Sequence, residues 1–234
     1  SALGADELLG RRLRDLVLRF PSGLLEGVRW SVLRKVYADR FPDGPHIGSD
    51  SMQMAARVWL VDVAKPAEED APDGCFHLHD AVAMRKGVDG QLACWPLLVK
   101  TLAGIVRLHG SPQAPREATA GYVAEEGSAG GDAGKDSEVL GVLLSQLKPL
   151  LMRHWDPNFQ ERAVGYFNED GCYVSVRKMK HLVAALLEWR ARRHACMGAS
   201  ASSAVDAALE AAPPLLLRTS QRHNDMVLCC PRAK

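Results

Sequence analysis

Apolar side chains recur at intervals of three and four residues along several stretches of the chain, which is the spacing of an amphipathic helix. The first such stretch, residues 6–20, carries leucines on one side and four arginines mostly on the other. Residues 28–41 and 49–61 have the same period, and prolines and glycines near their ends stop the helices. The pattern therefore predicts that the first part of the chain is mainly helical.

Short β-strands are expected between these helices. Residues 75–84 alternate between apolar and polar side chains, as a half-buried strand does. A further helix is predicted to begin at Pro96, a position that proline favours, and to give way to a strand over 105–108. In the second half, an apolar helix is predicted over 138–155, and two short strands flank the turn at 220–225.

Two serines are expected to cap helices. Ser31 would cap the helix within 28–41, and Ser175 would cap a long helix that continues to residue 194. The second cap places Arg177 and Lys178 in a first helical turn, where basic side chains oppose the helix dipole. Phosphate groups bind both to lysine and arginine and to the free N–H groups of a helix amino end. An anion is therefore one explanation for these two charges.

The order of elements is the same in the two halves of the chain. Each half is predicted to contain a helix, a short strand, two more helices and a two-stranded wing, which is the order of a winged helix. We predict a mainly helical α+β protein with winged-helix-like modules at residues 1–110, which contains a long insertion, and at 138–234. A flexible acidic linker rich in Gly, Ala and Ser would join them over residues 111–137. The alternative is a single irregular α+β domain.

Two pieces of the first half carry a pattern of core positions that resembles the LOTUS (OST-HTH) family of winged-helix domains. The matching positions are Gly27, Ser31, Leu33, Tyr37, Phe41, Leu98, Leu102, Ile105, Val106 and Leu108. The second half matches more loosely at Ser175, Leu182, Leu209 and Leu215 to Leu217. The resemblance covers about a third of the chain. It implies RNA binding, or docking of a DEAD-box helicase, in a protein of RNA granules or RNA processing.

Composition excludes some classes of protein and places the chain among ordinary globular domains. Hydrophobic residues make up 47% and charged residues 24% of the 234 residues, and the net charge of +1 provides no overall attraction for a polyanion. No apolar run reaches the roughly 18 residues of a membrane span. The six cysteines are scattered without a CxxC pair, which predicts free thiols in an intracellular, reducing compartment. The chain begins with Ser1, which is typical of a processed or excised segment.

The candidate binding residues are basic side chains clustered against this neutral background. Between residues 172 and 194, six lysines and arginines face a single acid, Glu188. The candidates are Arg177, Lys178, Lys180, His181, Arg190, Arg192 and Arg193, with Arg29, Arg34 and Lys35 as the equivalent set in the first half. Phosphate binding, a protein partner and a solvated surface are three alternatives for them. The aromatic side chains of Trp30 and Tyr37 would either stack on bases or pack in the core.

No catalytic motif is present, and we predict a protein that is not an enzyme and uses no cofactor. Cys75, His77 and His79 would share one face of a strand, as half of a zinc site or as the exposed edge of a hairpin; we predict no metal. The function predicted first is an RNA-associated adaptor that binds RNA or an RNA-processing protein such as a DEAD-box helicase. The alternatives are a structural scaffold subunit and an enzyme whose site is assembled from distant residues.

Overall fold

A computed structural model describes residues 4–67, 74–86, 94–113, 139–196, 203–220 and 225–232. These residues form an α+β fold. Within them, the α-helices are α1 (Ala5–Val17), α2 (Trp30–Arg40), α3 (Met52–Met54), α4 (Asp80–Ala83), α5 (Trp95–His109), α6 (Leu144–His154), α7 (Met179–Cys196) and α8 (Ala204–Ala211). The strands are β1 (Val28–Arg29), β2 (Ala64–Pro66), β3 (Cys75–Leu78), β4 (Ser111–Gln113), β5 (Val139–Leu143), β6 (Tyr166–Phe167), β7 (Tyr173–Val174), β8 (Leu216–Thr219) and β9 (Met226–Pro231).

The first part of the chain folds as α1, β1, α2, a third helical segment and a β2–β3 hairpin. The third segment joins a 3-10 turn (Ser49–Ser51), α3 and a π-helical stretch (Ala55–Trp59), so the helix predicted over 49–61 is confirmed with mixed geometry. The three strands are antiparallel in the order β1-β3-β2. Gly27 turns the chain into β1 with a φ of +94°, and a β-carbon there would lie 2.9 Å from that of Cys75.

The second part follows a similar order of elements but contains one more helix. Helix α5 is followed by β4, β5, α6, α7, α8 and the β8–β9 hairpin, so three helices stand where the first part has two. Its sheet has the order β4-β5-β9-β8, so that β5, β9 and β8 stand as β1, β3 and β2 do in the first sheet. The two strands that were predicted to flank the turn near residue 220 are confirmed as β8 and β9. A separate two-stranded pair, β6–β7, lies between α6 and α7.

One hydrophobic core runs through both parts of the chain. Phe20 stacks on Phe167 with 5.1 Å between ring centroids. Trp189 contacts Trp95 edge to face at 6.0 Å, and its indole N–H donates to the carbonyl of Pro21 at 3.1 Å. Burying large aromatic side chains from distant segments is the main favourable contribution to such a core.

The strand predicted over 105–108 is wrong, because α5 remains helical to His109. Leu98, Leu102 and Ile105 are each at most 2% exposed and recur at helical spacing. This face packs against α6, α8, β5 and β9, all of which belong to the second part of the chain. Short apolar runs fit either a strand or a helix, and the packing partners decide between them.

The helix predicted over 138–155 is correct only from Leu144 onward, because residues 139–143 form β5. This segment pairs along its length with β9, with Val142 opposite Leu228. Pro149 lies inside α6 and does not end the helix, which continues to His154. A continuous apolar run does not distinguish a buried strand from a helix, so the pairing with β9 was not visible locally.

Neither serine caps its helix. The N-cap of α2 is Arg29, and Ser31 is the second residue of the helix. Helix α7 begins at Met179, so Ser175, Arg177 and Lys178 precede it instead of forming its first turn. Val176, in the segment before the helix, is 1% exposed and belongs to the hydrophobic core.

Most of the predicted linker lies outside the described residues. Residues 111–113, at its start, form β4 and pair with β5, while the prediction for 114–137 falls on residues that the structure does not describe. All six cysteines carry free thiols, and Cys229 and Cys230 are buried in β9. In the described part of the chain, no helix is long and apolar enough to cross a membrane.

Candidate nucleic-acid interface

The basic residues in α7 and immediately before it divide into two groups with different surroundings. Near the carboxyl end, Arg190 is 8% exposed and points into the protein. Its guanidinium donates to the carbonyls of Pro213 at 2.8 Å, Leu209 at 2.9 Å and Ala212 at 2.7 Å. These carbonyls lie in and just beyond the last turn of α8, where they have no partner within the helix. Arg190 therefore joins α7 to the end of α8, and its donors are not available to a ligand.

Arg193 and Arg192 are also engaged within the protein. Arg193 bonds to the buried carboxylate of Asp206 at 2.8 Å and to the carbonyl of Leu24. Arg192 reaches Glu26 at 2.7 Å and Glu169 at 2.5 Å on a more exposed surface. Three of the residues predicted to bind a ligand thus connect parts of the fold to each other.

The other group lies at the amino end of α7 and faces the solvent. We refer to Arg177, Lys178 and Lys180 as the basic cluster; all three are exposed, as is the neighbouring His181. Among the residues that the structure describes, none of the three lies within ion-pair distance of a carboxylate. Unpaired lysines and arginines at a surface are the groups that neutralise phosphate when a polyanion binds.

A cavity of about 480 Å³ borders the basic cluster and is also lined by a lysine from another helix. Lys148 of α6 lines this cavity together with Lys178 and Lys180. Its two carboxylates are engaged: Glu161 accepts from Lys148 at 2.9 Å, and Asp225 accepts from the hydroxyl of Ser145 at 2.6 Å. In the described part of the chain, Lys148 pairs with Glu161, whereas Lys178 and Lys180 form no direct ion pair. These two lysines therefore provide the unpaired positive charge at the cavity.

Glu161 and Asp225 line the cavity, and each accepts hydrogen bonds from residues of α6. Burial acts to raise the pKa of Glu161, but hydrogen bonds from Lys148 and the backbone, together with the charges of Lys148 and Arg162, hold the pKa below its ordinary value. Asp225 also accepts from the backbone N–H of Ser145 at 3.1 Å, within the first turn of α6, as an anion at a helix amino end does. Lys148 and Asp225 were not predicted from sequence, because they come from different elements and share no motif.

Two of the three candidate residues in the first half have partners within the protein, unlike the residues of the basic cluster in the described part of the chain. Arg29 lies 3.9 Å from Asp170, and Arg34 donates to the carbonyl of Ile47 at 3.3 Å, whereas Lys35 is exposed. Trp30 and Tyr37 are 1% and 2% exposed, so both rings pack in the core and neither presents a face to a base. Arg34 and Lys35 line a different cavity from the one beside the basic cluster.

The strand β3 does not assemble a metal site. Cys75 and His77 share one face of the strand, but the Nε2–H of His79 donates to the carbonyl of Val61 at 3.1 Å. Burial, followed by the nearby charge of Lys65, lowers the pKa of His77. Within the described residues, no group of three potential ligands lies close enough together to hold a metal ion.

No protein-family model, curated protein or solved structure matches this chain. The resemblance to the LOTUS family therefore stays a prediction from sequence. The geometry of the basic cluster and of the surrounding surface is the basis for a functional proposal.

Proposed function

We propose that the protein is an RNA-associated adaptor built from two winged-helix-like modules. The similar element order supports this proposal, because each part runs from a helix through a strand and two or three further helices to a hairpin, and the last strand lies inside each sheet. We assign the first module to residues 5–78 and the second to residues 95–231. This division moves α5 into the second module, in accordance with its contacts to β5, α6, α8 and β9.

The observation that carries the RNA proposal is that the basic cluster is exposed and, within the described part of the chain, forms no ion pair. Arg190 and Arg193 have internal partners, so the basic residues between 172 and 194 that remain available to a ligand are mainly those of the basic cluster. The three cations that remain lie together at the amino end of α7, beside the lysine-lined cavity. A run of phosphates matches this arrangement because each phosphate is neutralised by one nearby cation.

Changing Arg177, Lys178 and Lys180 together to glutamate is expected to weaken the binding of single-stranded RNA about tenfold or more at low salt. The slope of log affinity against log salt should fall by about 2, because each phosphate contact on a single strand contributes about 0.7. Fluorescence anisotropy titrations at several salt concentrations measure both quantities. All three residues are exposed, so the unfolding midpoint should change little.

The matched control changes Arg11, Arg57 and Lys65 to glutamate. These residues are exposed and lie on the first module, and the variant has the same net charge as the first one. Its salt slope should equal that of the wild type. Loss of binding to the same extent in both variants would show a general charge effect and contradict a site at α7.

A second candidate function is docking of a protein partner, and an exposed apolar stripe on the first module favours it. Met54, Val58 and Val61 are 51%, 52% and 50% exposed and follow one another at helical spacing. Grouped apolar side chains on a surface are typical of protein interfaces. The partner that the LOTUS resemblance implies is a DEAD-box helicase. A titration of a purified helicase core against the wild type and Val58→Glu tests this function, and RNA binding should be the same in both.

A further inference from the structure

Two histidines meet where the carboxyl ends of two helices come together. His109 is the last residue of α5, and His154 is the last residue of α6. Their Nε2 atoms lie 2.8 Å apart, and their ring centroids lie 4.9 Å apart. His154 is exposed and His109 is half-buried, and the contact between them is open to solvent. Residues that are 45 positions apart in the sequence are thus joined through their imidazole nitrogens.

This contact requires at least one neutral imidazole. The Nε2–H of one ring donates to the Nε2 of the other, which accepts only when it carries a free lone pair. Two protonated rings would have no acceptor between them and would repel each other. Within the described residues, neither ring forms an ion pair with a carboxylate that would favour its protonated form. The pair therefore presents neutral imidazole at the surface, which is the form that binds metal ions.

The distance between the two nitrogens matches two neighbouring positions around one metal ion. Imidazole nitrogens bind a divalent ion at about 2.0–2.1 Å, so two of them at a right angle are about 2.9 Å apart. A tetrahedral ion would hold them about 3.3 Å apart. The observed 2.8 Å is close to the first value. Right angles between ligands are typical of the tetragonal geometry of Cu²⁺ and Ni²⁺, and the spacing therefore favours these ions.

Packed helices fix the positions of both ligands. Helix α5 packs against α6, and apolar side chains of the two helices, such as Leu102 and Leu151, are buried in the core. Ligands on packed helices are positioned more precisely than ligands on loops. Arg107 and Arg153 are exposed in the same last turns, where the negative ends of the helix dipoles partly offset their charge. Metal affinity at this place therefore depends on the two imidazole nitrogens and not on a negative surface.

We propose that His109 and His154 bind one divalent transition-metal ion, Cu²⁺ or Ni²⁺, through both Nε2 atoms, with water in the remaining positions. The ring that donates moves its proton from Nε2 to Nδ1, and both rings turn until their lone pairs point to the ion. No group of three potential protein ligands is present in the described part of the chain, so the site has two protein ligands. Neither histidine lines the cavity beside the basic cluster, so the site goes beyond the proposed contact with RNA.

The test is isothermal titration calorimetry of the full chain with Ni²⁺, which, unlike Cu²⁺, does not oxidise the protein's free thiols. The wild type should bind one Ni²⁺ at this site. His109→Gln and His154→Gln should each weaken binding about tenfold or more, because one ligand alone cannot chelate the ion. Glutamine keeps a hydrogen-bonding group near the position of Nε2. No binding of Ni²⁺ by the wild type, or an unchanged affinity in either variant, would overturn the proposal.

Two matched controls separate the histidine pair from other metal ligands. His46→Gln removes an exposed histidine of the first module, and this variant should bind Ni²⁺ like the wild type. The double variant Cys172→Ser/Cys196→Ser removes two exposed thiols and should also keep the affinity. A loss of Ni²⁺ binding in either control equal to that in His109→Gln would place the ion elsewhere and overturn the proposal. Mg²⁺ should not bind at this site, because it prefers oxygen ligands.

Nuclear magnetic resonance locates the ion in the wild-type protein and does not depend on the folding of a variant. Ni²⁺ is paramagnetic and broadens the signals of nearby nuclei. At substoichiometric Ni²⁺, the imidazole signals of His109 and His154 should broaden together and before those of the other histidines. Earlier broadening of other histidines, or of one member of the pair without the other, would overturn the proposal.

The glutamate variant of the basic cluster distinguishes this inference from the proposed function. It should lose RNA affinity but bind Ni²⁺ at least as tightly as the wild type, because the histidine pair is intact. RNA binding that depends on the basic cluster, without any binding of Ni²⁺ to the wild type, would overturn the metal site and leave the proposed function intact.

Discussion

Replacing Arg190 with methionine is expected to lower the free energy of unfolding by about 3 kcal/mol. Methionine retains an apolar stem of similar length, but it leaves the carbonyls of Leu209, Ala212 and Pro213 without their charged donor. These carbonyls terminate α8, so the contact between α7 and α8 should weaken as well. Chemical denaturation followed by circular dichroism measures the change.

Arg192→Met is the matched control on the same helix. Arg192 pairs with Glu26 and Glu169, but its side chain is 43% exposed, and ion pairs at such positions contribute about 0–1 kcal/mol. The two variants lose the same charge. A loss of stability in Arg192→Met equal to that in Arg190→Met would contradict the structural role assigned to Arg190.

Asp206→Ala is expected to lower the free energy of unfolding by about 2–4 kcal/mol at pH 7. The side chain of Asp206 is 3% exposed and completes a capping box with Ser203 at the start of α8. It also pairs with Arg193, whose side chain is 16% exposed and would lose its counter-charge. Asp170→Ala is the control, because its 79% exposed carboxylate lies 3.9 Å from Arg29 and should contribute little.

The contribution of Asp206 depends on pH in a defined direction. Burial acts to raise the pKa of this carboxyl, but the hydrogen bonds from Arg193 and Ser203 and the positive charge of Arg193 together hold the pKa below its ordinary value. A lowered pKa in the folded state contributes stability above the unfolded value of about 3.9, and that stability is lost as the pH falls through the folded pKa. Denaturation curves from pH 7 down to the acid limit should therefore converge for wild type and Asp206→Ala. A constant difference between them would contradict the assignment.

The sequence pattern was sufficient to locate most helices and the terminal hairpin, but it left their boundaries open. The apolar run at 139–143 is a strand because β9 is available to pair with it, and residues 105–108 stay helical because α8 and the second sheet cover that face. Neither β9 nor α8 lies near these two runs in the sequence. Local propensity is weak compared with such tertiary contacts, so element type was misassigned where the run was short.

The candidate site was predicted in part. The excess of positive charge between 172 and 194 was visible in the sequence, and the basic cluster at its start is exposed. The sequence did not show that Arg190, Arg192 and Arg193 have partners, because the partners lie in α8, just beyond its last turn, and at residues 24, 26 and 169.

The central proposal is that the amino end of α7 contacts single-stranded RNA, and ultraviolet crosslinking tests it most directly. Wild-type protein would be irradiated with a short single-stranded RNA at low salt, and mass spectrometry would identify the peptides that carry nucleotide adducts. The proposal predicts adducts on the tryptic peptide 163–177, which holds Arg177 and the exposed Tyr173, and their disappearance at high salt. Adducts confined to other parts of the chain, or no adducts at all, would contradict it.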